Sequence, residues 1–137
     1  MRIRVDLEKD ELVDTQINGY TGEVKPVATE MPVYVAKAEL FRALGHPTRI
    51  RILELLVEGE RPVSQLLEET GVEASSLSQH LAVVRRTGLV TSSRRGSAVY
   101  YRVNDPTVPR FLGAARAVLA GTLGRSAEAL AHLDESP

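Results

Sequence analysis

The sequence predicts a mainly α-helical fold of five helices with one small β-hairpin, preceded by an extension of about thirty residues. Three observations carry this reading. Across residues 33–87 apolar side chains recur at helical spacing in four short runs broken by glycine or proline. Residues 89–103 switch to a two-residue alternation around a glycine-containing loop. Helical spacing returns after Pro109 and persists toward the end of the chain.

The extension, residues 1–32, comes first. Ile3, Val5 and Leu7 alternate with Arg2, Arg4, Asp6 and Glu8, the period of a half-buried strand. Val13, Thr15 and Ile17 repeat the alternation, and Asn18-Gly19 is a tight-turn pair able to return the chain through residues 20–24. A small sheet or a packed arm is expected, with Pro26 and Pro32 marking the linker that follows.

The domain proper is expected over residues 33–125, with residues 126–137 as a tail or helix extension. Val35, Ala38, Leu40, Phe41 and Leu44 form the stripe of a first helix, and Gly45 is read as its left-handed cap. His46-Pro47-Thr48 begins a second helix, since proline suits a first helical turn. Ile50, Ile52, Leu53, Leu55, Leu56 and Val57 fill its interior, and Gly59 stops it. A third helix over 63–70 buries Leu66 and Leu67. Gly71-Val72-Glu73 forms a turn, and a fourth helix over 74–87 carries Leu77, Leu81 and Val84. Gly88 ends it. Two strands, Leu89-Val90-Thr91-Ser92-Ser93 and Ala98-Val99-Tyr100-Tyr101-Arg102-Val103, then flank a loop, Arg94-Arg95-Gly96-Ser97. Asp105-Pro106 breaks the second strand. A last helix starts near Pro109 and carries Phe111, Leu112, Ala115, Val118, Leu119 and Leu123, with Gly113, Gly121 and Gly124 able to shorten it, bend it or admit a close helix neighbour.

Composition narrows the function classes. At 137 residues with 43 % hydrophobic and 26 % charged side chains, one compact domain plus an extension is expected, and wholesale disorder is not. There is no cysteine, which removes disulfides, thiolate metal sites and thiol redox sensing together. No apolar run approaches the roughly 18 residues of a spanning helix, and MRIRVDLEKDE lacks the apolar core of a signal peptide, so a cytoplasmic protein is expected.

The net charge of −1 is unevenly placed. Residues 1–30 hold four Lys/Arg against seven Asp/Glu, whereas residues 31–110 hold eleven against eight. No acidic residue occurs between Glu73 and Asp105, while Arg85, Arg86, Arg94, Arg95 and Arg102 all fall there. Such a segment is either an electrostatic footprint for nucleic acid or a solvated face whose counter-charges come from elsewhere in the fold.

The motif around it favours nucleic acid. Two helices joined by a short glycine-containing turn make a helix-turn-helix. Leu77, Leu81 and Val84, at spacings of four and three, anchor one face of the second helix to the core. Ser75, Ser76, Ser78, Gln79 and His80 then project near its amino-terminal half. Short hydroxyls and amides there can bond phosphates or read base edges, and glutamine can pair bidentately with adenine. Arg85 and Arg86, at the carboxyl end, suit phosphate contacts that set register. A hairpin tipped by Arg94 and Arg95 is a wing able to reach the backbone or an adjacent narrow minor groove. The same serines as helix structure and the same arginines as solvated charge would make a winged-helix module for protein partners, the alternative reading.

The stretches AELFRALGHPTRIRILELL, VSQLLEETGVEASSLSQHLAVVRRTGLV and SRRGSAVYYRV resemble the ArsR/SmtB family of winged helix-turn-helix transcriptional regulators over residues from about 34 to 120. The resemblance implies a five-helix winged helix-turn-helix. It also implies a homodimer built from the first and last helices, and repression at a pseudo-palindromic operator until an effector releases it. It does not carry over the family's sensor sites. Where many members place cysteines, this chain has Glu60-Arg61-Pro62-Val63-Ser64. At the positions matching the paired sites of the last helices it has Asp105, Thr107, Val118 and Gly121, of which only Asp105 could ligate. No metal and no cofactor are therefore expected.

Of the three histidines, His46 is read as a structural contact at the start of the second helix. His80 is read as facing DNA or supporting its helix. Glu128 and His132 are four apart and share a helical face where a divalent metal is conceivable, though such pairs are usually surface residues. One of Tyr100 and Tyr101 is expected to cap the core and the other to be open to backbone phosphate. No phosphate loop, nucleophile elbow or metalloprotease helix occurs, so an enzyme is not expected.

Overall fold

A computed structural model describes residues 1–5 and 29–134, which fall into two compact units, Met1–Arg42 and Ala43–Pro137. In the first unit, β1 (Arg2–Val5) pairs antiparallel with β2 (Thr29–Pro32), with Ile3 opposite Met31 and Arg4 opposite Glu30. The alternation gives a strand over Arg2–Val5, with Asp6, Leu7 and Glu8 outside the described residues, but its partner is the end of the stretch read as linker. Pro32 is tolerated because it ends its strand, where the ladder needs no further donor. The alternation at Val13–Thr15–Ile17, the Asn18-Gly19 turn and the return through 20–24 lie outside the described residues. The Val33 amide donates to the Met1 carbonyl at 3.0 Å as β2 runs directly into α1 (Val33–Leu44). On α1 only Leu44 is fully buried. Ala38 and Phe41 of the expected stripe are exposed.

Gly45 is not left-handed: among the described residues the left-handed glycines are Gly71, Gly88 and Gly96. Instead the His46 amide turns back onto the Leu44 carbonyl at 2.8 Å, and His46 becomes the extended N-cap of α2 (Pro47–Glu58). Its Nδ1 accepts from the Thr48 amide at 3.1 Å, and Pro47 occupies the first turn, where its missing N–H costs nothing.

α2 is the centre of the second unit. Ile52, Leu53, Leu55 and Leu56 are buried, joined by Leu66, Leu77, Leu81, Val84, Val90 and Val108 from the elements around it. Six apolar positions between 50 and 57 cannot all face one way on a helix. Ile50 is half-buried and Val57 exposed.

β3 (Arg61–Pro62) leads straight into α3 (Val63–Thr70), and α4 (Ala74–Arg86) follows. On α3 Leu66 is buried and Leu67 half-buried. Gly71 closes α3 at φ 68°, donating to the Leu67 carbonyl at 3.0 Å. Gly71→Ala is expected to lower stability by about 1–2 kcal/mol. An added Cβ meets nothing within 4 Å, so the cost is conformational alone. Urea titration checks it, and an unshifted midpoint would mean that the turn accepts another conformation.

β4 (Val90–Arg95) and β5 (Ala98–Val103) form the hairpin, and β3 adds a third strand in the order β3-β5-β4. Two residues are too few to show an alternation, so β3 leaves no sequence signal. α5 (Thr107–Asp134) is one helix of 28 residues, uninterrupted at its glycines. Val108 is buried and Phe111 and Leu112 half-buried. Beyond them every described side chain of α5 is exposed. Among the described residues no helix is long and apolar enough to cross a membrane.

Candidate nucleic-acid interface

The helix-turn-helix is α3, the turn at 71–73 and α4. Glu73 caps α4 with extended backbone and no side-chain hydrogen bond, so the first-turn amides beside Ser75 and Ser76 have no side-chain partner. Leu77, Leu81 and Val84 are buried as their spacing predicts. Ser75, Ser78 and Gln79 are exposed, whereas Ser76 and His80 are half-buried. Arg85 and Arg86 are exposed in the last turn, where the helix dipole favours cations.

A short set of bonds ties the end of α4 to the wing. Thr87 Oγ1 donates to the Val84 carbonyl at 2.6 Å and accepts from the Leu89 amide at 3.2 Å. Asn104, just after β5, donates from its amide to Leu89 at 2.8 Å and from Nδ2 to the Gly88 carbonyl at 3.3 Å. Val90 is buried. The wing is therefore anchored at its base to the helix beside it.

At the tip the strands run further than the sequence implies. Arg94 and Arg95 are the last residues of β4, opposite Val99 and Ala98, and only Gly96-Ser97 forms the turn. Gly96 at φ 64° with no positive φ at Ser97 has the signs of a type II′ turn, whose twist matches the strands. Arg94 and Arg95, being adjacent in a strand, face opposite sides of the hairpin. Their environments differ accordingly. Arg95 is paired with Glu60 at 2.6 Å, and its guanidinium lies 4.5 Å from the Tyr100 ring centroid. Among the described residues Arg85, Arg86 and Arg94 have no ion pair. A counter-charge from elsewhere in the fold thus exists for one of these four arginines. Tyr100 and Tyr101 are both half-buried, so neither is a core residue outright.

His80 is joined to α2. Its Nδ1 accepts from Arg49 Nε at 3.1 Å, Arg49 Nη1 donates to the Ala43 carbonyl at 2.9 Å, and the His46 ring centroid lies 4.3 Å from that of His80. Removal from solvent, then His46, then Arg49 hold the His80 imidazole below its ordinary range. Arg49 and Glu60 gave no sequence signal as partners, because each acts on a residue more than thirty positions away.

Of the positions 105, 107, 118 and 121, the first two bond to each other. Asp105 Oδ1 accepts from the Thr107 amide at 2.8 Å and Thr107 Oγ1 at 2.6 Å, bonds that start α5 and hold this carboxyl below the usual carboxylate range. Glu128 and His132 lie exposed on α5. Among the described residues no three His, Cys, Asp or Glu side chains gather as a metal would require.

The family model for bacterial regulatory proteins of the arsR family matches residues 46–92, from the α2 cap into the wing. Over 93 residues the chain is 50 % identical to Rv0081 of Mycobacterium tuberculosis (strain ATCC 25618 / H37Rv), an uncharacterised HTH-type transcriptional regulator, covering 67 % of this chain and 82 % of that one. The crystal structure of M. tuberculosis Rv0081 superposes with a TM-score of 0.67 at 48 % identity, over 71 % of this chain and 98 % of that one. The solution structure of Mb0332 from Mycobacterium bovis is a homodimeric winged helix-turn-helix DNA-binding domain, called a possible ArsR-family regulator. It gives 0.58 at 31 % identity, over 64 % and 81 %. The transcriptional repressor BigR from Xylella fastidiosa gives 0.57 at 30 % identity, over 62 % and 87 %. With the expected helices, turn and wing in place, and relatives named as transcriptional regulators, this chain belongs to the ArsR family of DNA-binding, winged helix-turn-helix transcriptional regulators.

Proposed function

We propose that the protein is a homodimeric repressor that reads a pseudo-palindromic operator with α4 and is released from it by an effector. The observation that carries this is the division of α4. Its apolar face is buried at Leu77, Leu81 and Val84, and its other face leaves Ser75, Ser78, Gln79, Arg85 and Arg86 open. Ser75, Ser76, Ser78 and Gln79 meet bases or phosphates near the helix start, and His80, tied to Arg49 of α2, orients them. Arg85, Arg86 and Arg94 neutralise phosphates. Arg95, held by Glu60 and Tyr100, fixes the wing tip. The protein works in the cytoplasm, where its DNA is.

Dimerisation is supported by two exposed apolar sets, each described on its own unit. Val118, Leu119 and Leu123 on α5 are 68 %, 58 % and 65 % exposed, and Tyr34 and Phe41 on α1 are 75 % and 60 % exposed. Exposed apolar side chains clustered on one helix, as at Val118, Leu119 and Leu123, mark a surface for a protein partner. A two-fold dimer sets its recognition helices roughly 34–36 Å apart, one turn of DNA. The named repressor BigR and the homodimeric M. bovis domain make the same arrangement the first to test.

The test is fluorescence anisotropy on the duplex upstream of the protein's own gene, in a metal chelator and against excess random duplex. Competitor-resistant binding by the wild-type chain is expected. Gln79→Ala should lower operator affinity by about 1–3 kcal/mol while leaving affinity for random duplex nearly unchanged. Equal losses on both duplexes would make Gln79 a positioning residue. Indifference of the wild type to sequence would turn the fold toward protein partners.

A further inference from the structure

The bond between Arg49 and His80 has a chemical requirement. A guanidinium is always protonated and has no acceptor atom, so its Nε–H needs a lone pair on the other side. The 3.1 Å contact to Nδ1 therefore fixes His80 as neutral, with its one hydrogen on Nε2. Among the described residues this is the only hydrogen bond that joins an α4 side chain to another helix. The rest of the attachment of α4 is apolar, through Leu77, Leu81 and Val84, and constrains sliding and rotation less than a directional bond does. His80 follows Gln79 directly and stands one turn after Ser76, so its ring sets the rotation of the part of α4 that presents the reading residues.

Resting on the reading of α4 as the DNA-reading helix, we propose that Arg49 is a positioning residue for operator recognition, acting through neutral His80, so that protonation of His80 releases the operator. A second proton on the ring would set an N–H of His80 against the N–H of Arg49 and place two cations in contact. The charged and titratable groups that act on His80 are Arg49 from α2 and His46 from the turn before it, and neither supplies a carboxylate to hold the added charge.

The sign follows from linkage. A histidine held below its ordinary value of about 6.5 in the folded arrangement binds fewer protons there than when released. The Arg49–His80 tie is whole above pH 6.5 and is lost as pH falls through the lowered value. The direction is diagnostic. A protein that merely gains positive charge in acid binds a polyanion more tightly, whereas this one is expected to bind less tightly.

The experiment uses the full chain and a duplex selected by it from a random-sequence pool at pH 7.5. Affinity is then followed by anisotropy from pH 7.5 to 5.0 at constant ionic strength. The wild type is expected to lose affinity as pH falls through the lowered value of His80. His80→Asn keeps an acceptor near the Nδ1 position and cannot be protonated, so its affinity should stay level or rise over the same range. His46→Asn removes a neighbour that acts on His80 and should still weaken in the same direction as the wild type. At pH 7.5 the nitrogen spectrum of His80 should show Nδ1 bare and Nε2 protonated. The proposal is overturned by a level or rising wild-type profile, by a fall in His80→Asn equal to that of the wild type, by a protonated Nδ1, or by loss of helical circular dichroism alongside the loss of binding. Enrichment of no duplex at pH 7.5 would overturn the DNA-reading function itself, a failure distinct from any pH result.

Discussion

Leu53→Ala is expected to destabilise the protein by about 2–5 kcal/mol. Leu53 is wholly buried in α2, and its neighbours Ile52, Leu55 and Leu56 are buried with it. α2 borders α3, α4, α5 and the wing strand β5, so no single element can move in to fill the space. Cavities that cannot collapse fall at the upper end of such costs. Since a domain of this kind is held by only about 5–15 kcal/mol, the variant would unfold at markedly lower urea. Val57→Ala, on the same helix but exposed, should cost less than about 1 kcal/mol. Equal midpoints for the two variants would contradict the placement of the core on that face.

The second large effect concerns the arginines. In the triple variant Arg85→Ala, Arg86→Ala, Arg94→Ala, a dimer would lose six phosphate contacts. The slope of log affinity against log salt should then become shallower by about 5. Arg94→Ala alone should make it shallower by about 2, from one contact on each protomer. Arg95→Ala should leave the slope near that of the wild type while lowering affinity, because the guanidinium is held by Glu60 and Tyr100 and its loss loosens the tip. If Arg95→Ala flattens the slope as much as Arg94→Ala, Arg95 leaves Glu60 for the phosphate on binding. Titrations between 50 and 200 mM salt separate these outcomes.

What could be read in advance divides along physical lines. Features that depend on near neighbours were legible. The spacing of Leu77, Leu81 and Val84 gave the buried face of α4, and proline after histidine gave the start of α2. The glycine at position 96 gave the hairpin. Features set by distant partners were not. Nothing in the local pattern of GHPTR shows that Arg49 reaches a histidine 31 residues on. Nor does the run SRRGS show that one arginine is matched by Glu60 and the other is not. Turn geometry misled at two places. Gly45 resembles a left-handed cap, but the chain must enter α2 in extended form for His46 to cap it. Arg94 and Arg95 look like loop residues, but a two-residue turn leaves them in the strand. Val57 and Phe41 show the limit of hydrophobicity as a guide, since both are apolar and both are exposed.

The length of α5 has a consequence for how the amount of protein governs its action. Twenty-eight residues make a rod of about 42 Å, and only its first turns rest on the rest of the second unit. In the proposed dimer the remainder finds its apolar cover on a second copy, which makes the ordering of that surface a bimolecular event. Well below the dimer dissociation constant, occupancy of a two-half-site operator then rises with the square of protomer concentration. Halving synthesis would empty the operator about fourfold by mass action. Dilution through cell growth would then act on the regulated genes without any ligand being bound.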